Sequence, residues 1–91
     1  MGGGEIQVLT GTTPSTEGNE LVLNFPTGFT YNNTNIIGLQ FLDGTTWRGL
    51  GSISNAYPAS VTASVQTGGI VVIPRIGGAC NKSVKVTIYH D

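Results

Sequence analysis

Apolar and polar residues alternate with a period of two along most of this chain, and the alternation breaks where Gly, Pro, Asn or Asp stand. That is the punctuation of short β-strands joined by turns. Residues 36–50, IIGLQFLDGTTWRGL, are the clearest case: two apolar-alternating runs, 36–42 and 45–50, flank Asp43-Gly44, a strong hairpin signal. The second run holds the single tryptophan, Trp47.

The rest of the chain reads as strands added around that hairpin. Ile6 and Val8 alternate with Glu5 and Gln7, and the run continues through Leu9 and Thr10 to Gly11, giving a first strand with one wet face. Residues 12–19, TTPSTEGN, gather Pro14, Gly18 and Asn19 among small hydroxyls and belong on the surface. Residues 20–25 form a second strand, with Leu21, Leu23 and Phe25 on one face and Val22 and Asn24 on the other, ended by Pro26. Pro26-Thr27-Gly28-Phe29 is a turn with Gly28 free to take a positive φ, and residues 30–33 suit a single helical or 3₁₀ turn capped by Thr30.

After the hairpin, Gly49, Gly51 and Ser52 loosen the chain before Ile53, and residues 55–58 make a connection in which Pro58 holds Tyr57 extended. Val61, Ala63 and Val65 alternate with polar neighbours up to the turn Thr67-Gly68-Gly69. Residues 70–73 are continuously apolar, as expected of a strand buried on both faces, and stop at Pro74. A Gly-containing loop over 76–82 leads to the last strand, 83–89, with Val84, Val86 and Ile88 inward and Lys85 and Thr87 outward.

About seven short strands with turn chemistry between them and no crossover helix predict an all-β fold. The expected form is a small antiparallel β-sandwich, jelly-roll-like, made as a single domain by residues 5–91. The Gly2-Gly3-Gly4 run makes residues 1–4 a flexible lead-in or a junction remnant.

Two registers are open for the central hairpin. With Asp43-Gly44 as a two-residue type I′ loop, Leu42 faces Thr45, Leu39 faces Arg48, and Trp47 stands opposite Gln40, away from the row Ile37, Leu39 and Phe41. With Leu42-Asp43-Gly44 as a three-residue loop and a bulge at Gly44, Leu39 faces Trp47, which then joins that row. Hydrophobic pattern favours the second, because it sets Trp47 against Leu39 and Arg48 on the opposite face.

Composition narrows the function. Charged residues are 10% of the 91, well under the ordinary share of about 25%, and Gly, Thr, Ser and Asn carry the polarity. Arg48, Arg75, Lys82 and Lys85 are the only cations, too few and too scattered to track a nucleic-acid backbone. A weakly charged surface loses little ionic solvation when a second copy covers it, which favours a homo-oligomer. The start of the chain has neither the basic nor the apolar region of a signal peptide, and no run approaches a membrane span.

Candidate chemistry is sparse. One Cys, one His and five scattered acids give no metal-ligand spacing, and neither a metal nor a cofactor is expected. Cys80 and His90 are the one conceivable nucleophile–base pair, but His90 is penultimate, where chain ends fray, and a base must be held in place. Gly77-Gly78 opens no helix and precedes no Lys, so it is a turn and not a phosphate cradle. The expectation is therefore a protein that is not an enzyme.

Carbohydrate recognition needs less: an aromatic face for the C–H groups of a sugar, and amides and a guanidinium for its hydroxyls. Trp47, Arg48, Tyr57, Asn55 and Tyr31 are the candidate ligand-binding residues on that basis. A lone Trp in a small β domain is also what a core or a subunit contact uses.

The stretch LVLNFPTGFTYNNTNIIGLQF, the Trp47 hairpin after it and the terminal strand SVKVTIYHD resemble the small C-terminal β domains of phage and prophage tail-fibre or baseplate receptor-binding proteins. The resemblance runs over most of the chain from Glu20 onward and carries no catalytic or metal motif. It implies a trimeric tip or head module for assembly or for docking to bacterial surface polysaccharide. It also implies a product of the bacterial cytoplasm deployed in a virion or phage-tail-like particle. A monomeric carbohydrate-binding module is the alternative.

Overall fold

The computed structural model describes residues 4–49 and 61–91. Among these lie seven strands: β1 (Glu5–Thr12), β2 (Leu21–Leu23), β3 (Asn35–Asp43), β4 (Thr46–Gly49), β5 (Val61–Gln66), β6 (Gly69–Pro74) and β7 (Ser83–His90). They make two antiparallel sheets, β1-β7-β3-β4 and β2-β6-β5. The first strand pairs with the last and the second with the last but one, so the chain is wound in the jelly-roll manner expected of it. The expectations placed on residues 50–60, including Asn55 and Tyr57, lie outside the described residues.

Val84, Val86 and Ile88 on β7 are fully buried and form the spine of the core, facing Ile70 and Val72 of the other sheet, with Phe29, Leu39, Phe41, Val61 and Ala79 completing it. The inward and outward positions of β7 are those the alternation predicts. β6 is buried on both faces, as its unbroken apolar run requires, because it is the middle strand of its sheet and Val71 lies between Val22 and Ser64 on the outer side. β2 is shorter than the expected six-residue strand, although Leu21, Leu23 and Phe25 pack on the core as predicted.

Two strands differ from the simple alternation. In β1 the pairs Gln7–Ile88, Leu9–Val86 and Gly11–Val84 put the odd-numbered residues over the core. The face carrying Ile6 and Val8 is therefore the outward one, at 60% and 53% exposure. Leu9 decides this, since a one-residue slip would send it outward. In β3 the register shifts between Ile36–Ile88 and Gly38–Thr87, leaving Ile37 as the extra residue of a bulge. Ile36, Leu39 and Phe41 then share the inner face, and Ile37 is 53% exposed instead of joining the apolar row.

The turns follow their residues closely. Gly28 has φ +93° and Phe29 N–H donates to the Pro26 carbonyl at 3.0 Å, the turn predicted there. Residues 30–34 close one turn through Asn33 and Thr34 N–H groups on the Thr30 carbonyl. The side-chain bonds come from Asn33 in place of a Thr30 cap: its Oδ1 accepts from Thr30 N–H at 2.8 Å and its Nδ2 donates to the Gly28 carbonyl. The β5–β6 turn needs only Thr67 and Gly68, because Gly69 already pairs with Gln66.

The loop after β1 is exposed except at its start. Thr13 is 2% exposed, donating its hydroxyl to the Ala79 carbonyl at 2.6 Å and accepting from Lys82 N–H at 2.9 Å. Thr13 N–H reaches the Lys82 carbonyl and Asn81 N–H the Pro14 carbonyl. This joins the first loop to the 3₁₀ turn Gly77–Ala79 and closes one end of the sandwich.

Candidate functional site

The hairpin that carries Trp47 settles its face. Asp43 pairs with Thr46, Leu42 with Trp47 and Phe41 with Arg48, so the loop is Gly44-Thr45 and matches neither expected register. Gly44 takes φ +67°. Asn81 has the only positive φ among the described non-glycine residues, so Thr45 has none. A positive φ at the first central residue alone is the type II′ pattern, whose twist suits a tight hairpin. The Arg48 Nε on Asp43 Oδ2 at 2.6 Å reinforces this register as a diagonal cross-strand ion pair, half exposed and therefore modest in energy.

The consequence is that Trp47 does not enter the core row with Leu39. It stands with Leu42 and Gln40 on the outer face of the four-stranded sheet, half-buried. Lys85, opposite Gln40 on β7, lies with its ammonium 4.2 Å from the centre of the indole ring. The two side chains meet above the intervening β3. Lys85 is the residue sequence reasoning missed; its outward position was legible, but its meeting with Trp47 depended on the hairpin register.

Three candidate ligand residues can be placed. Arg48 lies on the inner-face side of β4, across the strand from Trp47. Tyr31 is exposed in the turn before β3. From there to the level of Trp47 the chain advances seven residues, Asn35 to Leu42, or about 23 Å. Trp47, Arg48 and Tyr31 are therefore not assembled into one site.

What the outer face does assemble is an apolar surface. Ile6 and Val8 from β1, Tyr89 beside Ile6 on β7, Ile37 at the bulge of β3, and Leu42 with Trp47 at the far side share it, with Thr10, Thr87, Gln40 and Lys85 between them. An antiparallel sheet that faces water ordinarily keeps that face polar. Here two isoleucines and a valine, Ile6, Ile37 and Val8, each stand more than half exposed on it.

A second cluster lies at the chain ends. His90 is not a frayed tail residue: it pairs with Glu5 in the β1–β7 ladder, and its ring meets Phe29 edge-on with centroids 4.4 Å apart. Nε2 faces Glu5 Oε1 at 3.5 Å without forming a hydrogen bond, and Nδ1 lies 2.8 Å from the Asp91 carbonyl oxygen. Glu5 Oε2 accepts from Gln7 Nε2 at 2.7 Å. Cys80 precedes β7 and His90 ends it, so the length of that strand, about 23 Å, separates them and they form no nucleophile–base pair. Beside it, the Tyr89 hydroxyl donates to Asp91 Oδ1, and this bond together with the carboxylate charge holds the phenol above its ordinary range.

Among the described residues no three His, Cys, Asp or Glu side chains gather as a metal would require, and no helix is long and apolar enough to cross a membrane. Compared with known proteins, the chain matches no known family, no curated protein and no solved structure.

Proposed function

We propose that this chain is a non-enzymatic structural and receptor-binding module of a phage-tail-like assembly, made in the bacterial cytoplasm, which self-associates and docks to bacterial surface polysaccharide. The observation that carries self-association is the outer face of the four-stranded sheet, where Ile6, Val8 and Ile37 are each more than half exposed. Water is a poor neighbour for such a face, and covering it removes apolar area at about 25 cal/mol per Å². With charges at 10% of the chain, a second copy meets few ions to desolvate. Size-exclusion chromatography with light scattering tests the reading: a stable homo-oligomer supports it, the trimer that the sequence resemblance implies included, and a strict monomer at high concentration counts against it.

The second reading, a monomeric carbohydrate-binding module, is favoured by one observation, the position of Trp47 outside the core with Lys85 over its ring. A sugar ring stacking on that indole would displace the ammonium sideways towards the sugar hydroxyls. A glycan array with the parent protein and Trp47→Ala decides it. The reading fails if neither protein binds, or if the folded variant binds as the parent does.

A further inference from the structure

The strand edges of the sandwich are protected to very different degrees. β2 is three residues long, an edge too short to be a good template for another chain, and β4 carries Arg48. β5 is longer, and Arg75 reaches across its outer face to bond Thr62 Oγ1 at 3.0 Å. β1 has none of these protections. Its eight residues, EIQVLTGT, contain no proline, lysine or arginine, and its pairing with β7 has no register shift. Its only charge, Glu5, faces inward beside Gln7 and His90 at one end. Among the described residues the sheet places nothing on its far side, so alternate N–H and C=O groups along it have no strand to pair with.

We propose that this edge pairs with the same edge of a second copy, β1 antiparallel to β1, so that two four-stranded sheets run on as one of eight. The inference rests on the self-association reading and adds a contact along one border of that exposed face, where Ile6 and Val8 lie. A second copy is the occupant for three reasons. An antiparallel strand edge is self-complementary about a two-fold axis normal to the sheet, which is what an isologous contact requires. That axis keeps the outward residues of both copies on one face, and a centre at Gln7 sets Ile6 of each copy opposite Val8 of the other, so two exposed apolar side chains cover each other twice. Antiparallel pairing also carries the two Glu5 side chains to opposite ends, where parallel pairing would bring them together. The assembly is then a closed dimer, and the exposed face becomes a broader surface continuous across both copies.

Light scattering and hydrogen exchange on the full chain test this together. The expected mass is twice the 9.5 kDa of the chain, with exchange of alternate β1 amides slowing as concentration rises. The variant Ile6→Lys/Val8→Lys, at positions the monomer leaves exposed, is expected to keep the circular dichroism spectrum of the parent at half the mass. A trimer, or any oligomer whose β1 amides exchange at a rate independent of concentration, overturns the edge pairing and leaves self-association standing. A monomer at every concentration overturns both. Should the variant fail to fold, exchange in the parent protein still decides.

Discussion

The Lys85 ammonium sits 4.2 Å from the centre of the Trp47 ring, joining the inner strand β7 of the four-stranded sheet to the edge strand β4 across β3 between them. The contact occupies the outer face, so it ties the β3–β4 hairpin to β7 from the side opposite the core. With the Asp43–Arg48 pair it braces the hairpin on both faces.

A cation held over an indole at an exposed site contributes about 0.5–1 kcal/mol. A double-mutant cycle of Trp47→Leu and Lys85→Gln, measured by urea denaturation, is expected to return a coupling of that size. Strictly additive single effects would remove the contact from the account.

Gly69 has φ +144°, and a Cβ there would run into the Leu23 carbonyl oxygen of the neighbouring strand. Gly69→Ala is expected to cost about 2–4 kcal/mol in chemical denaturation, because backbone strain and collision add. Gly68→Ala, one residue earlier with open space around it, should stay within about 0.5 kcal/mol. Equal losses at the two positions would contradict the structure.

Thr13→Val keeps the shape of the side chain and deletes a buried hydroxyl that donates to Ala79 and accepts from Lys82. Both backbone partners are then short of a bond, at an expected cost of about 1–3 kcal/mol. Thr13→Ser keeps the hydroxyl and should lose less, so the order of the two melting temperatures is the check.

The Tyr89 phenol is raised above 10.0 by its hydrogen bond to Asp91 and by that carboxylate's charge. Because the folded value lies above the unfolded one, its contribution to stability is complete below 10.0 and is lost as pH climbs through the raised value. An ultraviolet titration should show one phenol ionising late, and Asp91→Asn should bring that step down. A late step unchanged in the variant would assign it elsewhere.

Most of the fold could be read from period-two alternation because the strands that matter most obey it strictly. Val84, Val86 and Ile88 alternate without a break, and residues 70–73 are apolar throughout because β6 is covered on both sides. The departures share one cause, an extra or displaced residue that alternation cannot register. At Ile37 a bulge moves one side chain outward and preserves the phase of those after it. At Gly44 the glycine is the first loop residue and not the second, which shifts the partner of Trp47 to Leu42.

The outer face was harder to see. Ile6 and Val8 look like core residues beside Glu5 and Gln7, and only the pairing of Leu9 with Val86 turns them outward. The inner position of Glu5 is tolerable because Gln7 bonds it and His90 lies beside it. The charge of Lys85 was visible and its neighbour was not, since two residues on non-adjacent strands meet only once both registers are known.

Glu5 pairs with His90 at the end of the β1–β7 ladder, so the first and last strands leave the sandwich side by side. Tension applied between those two ends therefore pulls across the ladder and not along it. The rungs are loaded one at a time, Glu5 with His90 first and Thr12 with Ser83 last, and the pair parts like a zip. Such a domain resists little when pulled by its own ends, yet force transmitted along β1 from a neighbouring copy would shear all eight positions together. The mechanical strength of this small sandwich thus depends on the direction from which it is held.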